Sequence, residues 1–294
     1  MIISVASGKG GTGKTLIASS LALSIDSKAQ LIDCDVEEPN AHIFLKPIIR
    51  ESGKVNIPVP EIDPEACDYC GKCQQVCAYN AIAVIPPVDS KKGQTLVFSN
   101  LCHGCGSCSY FCPREAIVEA PKEIGIMETG FSGDIHFVHA RMNIGEAMAP
   151  PLIREELKQI KSDLTVIIDA PPGTSCPVVE SVKVSDFCIL VTEPTPFGLN
   201  DLVLSVEVLR KLSIPFGIVV NRSDLGDTKT DAFCKREKIP ILMKIPFRKE
   251  IAEAYSRGIP LIHAFPKYKK DFDMLLNSCK LNTGSISDRE MSRD

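Results

Sequence analysis

Eight of the thirteen cysteines in this 294-residue sequence fall between Cys67 and Cys112, in two runs of one form. Cys67, Cys70, Cys73 and Cys77 stand at C-x2-C-x2-C-x3-C spacing, and Cys102, Cys105, Cys108 and Cys112 repeat it 35 residues on. The match runs past the thiols, since Ala81-Ile82 corresponds to Ala116-Ile117. Two copies of one half-module imply a pseudo-symmetric unit. This spacing is the one that ligates [4Fe–4S] clusters. A short turn brings three thiolates to three irons of one cubane, and the fourth, at the start of a helix, serves the other cluster. The spacing therefore assigns Cys67, Cys70, Cys73 and Cys112 to one cluster, and Cys102, Cys105, Cys108 and Cys77 to the other. Glycines and small residues between the ligands let backbone N–H groups approach the sulfurs and tune the potential. Zinc and disulfides are the competing readings. Zinc sites use pairs of C-x2-C rather than triplets with a further cysteine, and a reducing compartment argues against disulfides. The second run carries the usual proline, Pro113, where the first has Ala78, a difference that touches local geometry and leaves all four thiolates in place. Tyr69 and His103, between ligands, read as surface or packing residues.

The second concentration of chemistry is Gly8-Lys9-Gly10-Gly11-Thr12-Gly13-Lys14-Thr15. It follows the apolar run Ile2 to Ala6 and leads into a helix-like run, Leu16 to Leu23. Strand, glycine loop and helix in that order make the setting of a phosphate-binding loop. Glycines let successive N–H groups turn toward a phosphate, and the helix start adds free donors and the positive end of its dipole. Lys14 is expected on the β- and γ-phosphates of ATP or ADP, and the Thr15 hydroxyl on Mg²⁺. Acids follow at two strand ends. Asp35, after Gln30 to Asp33, is expected to orient the attacking water or to hold the Mg²⁺ shell, with Asp33 in support; capping of a turn is the alternative for both. Asp169, after Leu164 to Ile168, is the expected second acid near Mg²⁺, and Gly173 offers a backbone N–H to the γ-phosphate. A simple strand-capping acid is the alternative for Asp169. Asn221, just past another strand, is read equally as an adenine contact and as a turn cap.

These residues need elements to hold them. Apolar runs at 135–140, 164–169, 187–191, 216–220 and 241–245 read as strands. Stretches at 151–161, 198–212 and 229–237 read as helices between them, and 249–268 as a helix plus loop. The alternation predicts an α/β fold with a parallel sheet covered on both faces. The proline-rich stretch from Ile57 to Pro64 reads as a boundary. The expected organisation is a P-loop ATPase domain over 1–57 and 122–281, interrupted by a small α+β ferredoxin-like domain over 58–121. A polar tail, 282–294, reads as disordered.

Composition sets outer limits. A net charge of −4 implies no general attraction to nucleic acid or to an anionic membrane. Met1 to Ser4 already read as strand, without a signal peptide, and no run is long enough to span a bilayer, so a cytoplasmic protein is expected. Of the remaining cysteines, Cys188 reads as a buried core thiol, and Cys34 and Cys176 lie near the expected nucleotide site with open roles.

The loop carries a lysine, Lys9, early in its sequence. With Asp33-Cys34-Asp35, Pro39-Asn40, Asp169-Ala170-Pro171-Pro172-Gly173 and Thr192-Glu193-Pro194-Thr195, it resembles the deviant Walker A ATPases of the MinD/ParA/Mrp/nitrogenase-iron-protein superfamily. The insert resembles a bacterial two-cluster ferredoxin. The resemblance implies an ATP-sandwich dimer, with itself or with a related ATPase, in which Lys9 reaches the partner's nucleotide, Lys14 binds phosphates in its own subunit and Asp35 serves the water. It departs from Mrp-like carriers in having no late C-x-x-C, and from MinD in having no strongly basic amphipathic tail, so membrane docking is not expected. Three functions follow as expectations: nucleotide-driven electron transfer to a redox partner protein, cluster assembly or carriage, and a nucleotide-dependent positioning switch.

Overall fold

The computed structural model describes residues 1–89 and 91–290, with side chains through 283. Eleven strands are present among them: β1 Ile2–Ser7, β2 Ala29–Asp33, β3 Ile48–Ile62, β4 Ile82–Ile85, β5 Gln94–Val97, β6 Ile117–Ser132, β7 Ile135–Met142, β8 Thr165–Pro172, β9 Phe187–Thr192, β10 Phe216–Asn221 and β11 Ile241–Ile245. Nine form one sheet in the order β11-β10-β9-β1-β8-β2-β7-β6-β3. The seven from β11 to β7 pair in parallel. They are short and apolar, and β2 and β9 are buried at every position, as strands covered on both faces must be. The expected all-parallel sheet needs one correction. Neighbouring β6 and β7 are joined by Gly133-Asp134 alone, and a two-residue link between adjacent strands forces an antiparallel hairpin.

The chain divides into two compact units. The first comprises Met1–Ser52, Met127–Arg141 and Ile153–Asp294. Two hydrophobic clusters make its core. One packs Leu16, Ile17 and Leu21 of the first helix with Phe137, Phe187 and Phe272. The other packs Val178 and Val182 with Leu190, Leu202, Val206 and Ile218. The last helix is assigned over Tyr268–Glu290, so it continues into the stretch read as a disordered tail. Residues 291–294 of that stretch lie outside the described ones.

The second unit comprises Gly53–Ile126 and Met142–Leu152. It holds the antiparallel pair β4-β5 and two short helices, Lys72–Val76 and Ser107–Tyr110. Its internal repeat is visible in the backbone. Positive φ angles recur 35 residues apart, at Tyr69 (59°) and Gly104 (66°), Gly71 (76°) and Gly106 (72°), and Asn80 (53°) and Glu115 (50°). Where the second copy meets this left-handed turn with Gly104, the first meets it with Tyr69, at a steric cost glycine avoids. Among the described residues the buried apolar side chains here are few and none is aromatic: Val55, Ile57, Val59, Ala81, Ile82, Ala116, Ile124, Ala149 and Leu152. Both core clusters of the chain consist of first-unit residues.

Candidate functional sites

In the first unit the loop after β1 opens directly into the helix Lys14–Ser24. Gly11 and Gly13 adopt φ of 77° and 98°, angles that a side chain resists. A Cβ on Gly13 would stand 2.6 Å from the Asn221 amide nitrogen, so the loop is closed on that side as well. Gly10, Gly11, Gly13, Lys14 and Thr15 line a cleft of about 400 Å³. Asp35, Glu38 and Asn40 form one wall, and Asn221, Arg222, Pro246, Phe247, Arg248 and Tyr255 another. The cleft lies at the C-terminal ends of parallel strands, where open α/β sheets bind ligands.

Three acids stand near it, of which Asp35 alone lines the cleft. Asp33 and Asp169 are register partners on neighbouring β2 and β8, and both are buried. Burial pushes the Asp169 carboxyl up to about 7, against the lowering effect of the nearby Thr15 hydroxyl and Lys14 ammonium. Neither of its oxygens has a hydrogen-bond partner in the protein. Asp33 is also raised, first by burial and then by Asp169. Its carboxylate is used internally, with Oδ2 accepting from the Asn40 and Ala41 amides at 2.9 and 2.8 Å. Asp35 is half-buried and lines the cleft, and burial raises its pKa while Lys14 opposes the shift.

The cysteines of the second unit line two separate cavities. Cys67, Cys70, Cys73 and Cys112 surround one, of about 20 Å³. Cys77, Cys102, Cys105 and Cys108 surround the other, also of about 20 Å³. Each cavity thus draws three thiols from one repeat and the last thiol of the other. Backbone amides reach the crossing thiols in matched fashion: Ala116 N donates to Cys112 Sγ and Ala81 N to Cys77 Sγ, both at 3.3 Å. Among the described residues no three His, Cys, Asp or Glu side chains are grouped to hold a single metal ion. Four thiols make an all-sulfur donor set, the kind that suits a soft metal centre.

Residues 3–261 match the CobQ/CobB/MinD/ParA nucleotide binding domain. The chain belongs to this family. It is 34% identical to an uncharacterized protein of Methanocaldococcus jannaschii, over 91% of this chain and 92% of that one. It is 24% identical to an iron-sulfur cluster carrier protein of Pyrococcus horikoshii, over 88% of this chain and 78% of that one. In fold it is similar to the septum site-determining protein MinD of Pyrococcus horikoshii, solved with Mg-ADP, with a TM-score of 0.55, 21% identity and 93% of each chain covered. The cell division ATPase MinD of Pyrococcus furiosus gives 0.56 and 22%, over 95% of this chain and 98% of that one.

Within this nucleotide-binding domain, several expected contacts are already occupied. Lys9, expected to reach toward a partner, lies 3.6 Å from Glu193 of its own chain. Glu193 also accepts from Arg222 Nη1 at 2.6 Å. Sequence reasoning named Glu193 only within the Thr192-Glu193-Pro194-Thr195 motif, with no role, and did not name Arg222. The Gly173 N–H, expected to sense the γ-phosphate, donates here to the Ser7 carbonyl at 3.0 Å. Asn221 Nδ2 donates to the Thr12 carbonyl at 2.8 Å and Oδ1 accepts from the Arg222 amide, so this side chain braces the loop. Gly8 and Thr12 stand off the cleft wall; a Cβ on Gly8 would meet the Asp201 carbonyl at 2.4 Å, which makes Gly8 a packing requirement. Cys34 is buried, its thiol pushed up by burial and by Glu156, whereas Cys176 is exposed. The cleft wall from Pro246 to Arg248, with Tyr255, carried no motif; its only signal in the sequence is its place just past β11. Among the described residues no helix is long and apolar enough to cross a membrane.

Proposed function

We propose that this protein is an ATP-hydrolysing iron–sulfur protein in which nucleotide-driven dimer closure governs electron transfer through two [4Fe–4S] clusters. The observation that carries the reading is the sorting of eight thiols into two cavities, three from one repeat and one from the other in each. That is the arrangement a two-cluster carrier requires. Cys67, Cys70, Cys73 and Cys112 would hold one cluster, and Cys77, Cys102, Cys105 and Cys108 the other. Bound clusters supply one-electron storage at low potential. Chain residues do the rest: short turns fix the thiolates, and amides such as those of Ala81 and Ala116 stabilise charge on the sulfurs.

At the nucleotide, Gly10, Gly11, Gly13 and Lys14 would cradle the phosphates. Thr15 and Asp169 fit Mg²⁺, since a buried carboxylate with two unpartnered oxygens beside a hydroxyl lacks only a cation. Asp35 would orient the attacking water from the cleft wall. Dimer closure would draw Lys9 from Glu193 to the partner's nucleotide, where a second cation neutralises charge developing on the γ-phosphate. The same closure would break the Gly173–Ser7 bond and free that amide for the γ-phosphate. A redox partner protein would exchange electrons with the second unit.

A second reading, in which the clusters are cargo for delivery, is favoured by the relatives named as iron-sulfur cluster carrier proteins. Complete four-thiolate ligation argues for permanence instead. Anaerobic purification with iron, sulfide and zinc analysis tests the cluster assignment. Eight irons and eight sulfides per chain are expected, retained against an apo-acceptor. Zinc or colourless protein would refute the assignment, and transfer to the acceptor would favour carriage.

A further inference from the structure

The two cysteine cavities are lined by residues at equivalent repeat positions, and those positions differ in charge. Lys72 lines the first cavity where Ser107 lines the second. Arg114 of the first corresponds to Tyr79 of the second, Asp68 to His103, and Val84 to Glu119. Glu119 is held in place. Ser109 Oγ donates to its Oε1 at 2.5 Å, and a Cβ on Gly106, in the second ligand loop, would lie 3.0 Å from that same oxygen.

We infer that the two clusters are inequivalent: the site of Cys67, Cys70, Cys73 and Cys112 holds the first added electron, and the site of Cys77, Cys102, Cys105 and Cys108 is the lower in potential. This rests on the cluster assignment proposed above and adds a direction to it. Reduction adds one negative charge to a cluster. Two cations and one acid line the first site, whereas Glu119 and His103 line the second, and the cation that acts on Cys102, Lys122, is itself paired with Glu146 at 2.7 Å. Whichever protonation state His103 takes, the first site is the more positive.

Hydrogen bonds to sulfur work the other way. Gly104 N donates to Cys102 Sγ at 3.4 Å, and Ser107 Oγ lies 3.5 Å from Cys105 Sγ, while Thr95 Oγ1 near Cys67 Sγ is at 3.9 Å. These are two long neutral contacts, whereas full charges act on the whole cluster and fall off more slowly with distance. The charges are exposed, so salt weakens them. The expected preference is roughly tenfold in the electron's distribution, which for one electron is about 59 mV. An electron delivered by a one-electron donor to the second cluster then passes to the first, the second being reoxidised as the first is reduced.

The test is a potentiometric titration of the full-length, iron-loaded protein with viologen mediators, followed by electron paramagnetic resonance at low ionic strength. Two one-electron waves are expected. Glu119→Val, which copies the first repeat, should raise the lower wave and leave the upper in place. Lys72→Ser with Arg114→Tyr should lower the upper wave and close the gap. Glu119→Gln, isosteric and less disruptive, should repeat the first shift in smaller measure. A Glu119 change that moves the upper wave, or coincident waves indifferent to all three changes in protein carrying eight irons, overturns this inference alone. Protein without iron overturns the cluster assignment and this inference with it.

Discussion

The two units of the chain solve stability in different ways. The nucleotide unit is complete without a ligand: buried parallel strands, two large apolar clusters and a loop braced from Asn221 to Thr12. The cysteine unit has short helices, a two-stranded sheet and a sparse scatter of buried aliphatic side chains beside two thiol-lined cavities. A fold of that kind has little apolar area to offset its own ordering entropy, and the clusters proposed for its cavities would supply the difference. Charge follows the same division. The nucleotide unit sets three acids, two buried and one half-buried, near its loop, where a divalent cation would neutralise them.

The largest expected effect breaks this comparison cleanly. Chelation of iron, or Cys105→Ser with Cys112→Ser, should abolish amide-exchange protection across 53–126. Protection of β1, β8 and β9 should persist, and ADP should still bind. Global unfolding of both units would show that they are not independent. In the reverse direction, Lys14→Ala should weaken ATP binding by roughly 10- to 100-fold, the usual loss for a charge-assisted contact, as measured by calorimetry, with iron content unchanged.

Acid sharpens the account of the metal-side acids. The Asp169 carboxyl is pushed up to about 7 by burial, so without metal it stays protonated below that pH. A proton and Mg²⁺ compete for it. Mg²⁺-dependent nucleotide affinity should therefore fall by about tenfold per pH unit as the pH drops below about 7. Asp169→Asn should bind Mg²⁺-nucleotide weakly and without that pH dependence. The linkage to stability has the opposite sign. A raised carboxylate pKa favours the metal-free fold at low pH, and that advantage is lost as the pH rises from the ordinary value of 3.8 through about 7.

Smallest is the loop brace. Asn221→Ala removes one buried hydrogen bond to Thr12, worth about 1 kcal/mol. Nucleotide affinity should drop about fivefold, a modest loss by calorimetry. A loss as large as that of Lys14→Ala would mean that Asn221 touches the base directly.

Legibility in the sequence divides between the same two regions. The apolar strands and the glycine loop could be read because continuous hydrophobic runs and left-handed glycines leave a local signature. The sorting of the eight cysteines between two cavities could be read because the repeat fixes it. The long strands β3 and β6 could not. Ile48 to Lys54 is exposed throughout, prolines 58, 60 and 121 interrupt the pattern, and pairing with distant strands rather than local propensity makes them extended. Contacts made by already recognised residues were equally hidden. Nothing near Lys9 announces Glu193, 184 residues away, and nothing near Gly173 announces the Ser7 carbonyl.

The central claim is that nucleotide state governs the redox unit. Anaerobic stopped-flow of the eight-iron protein against a low-potential donor, with Mg-ATP, Mg-ADP and no nucleotide, measures it directly. Cluster reduction rates should differ between the ATP and ADP forms by roughly fivefold or more, the low end of ordinary coupling. The difference should vanish in Lys9→Ala and Asp35→Ala. Identical rates in all three nucleotide states would contradict the account.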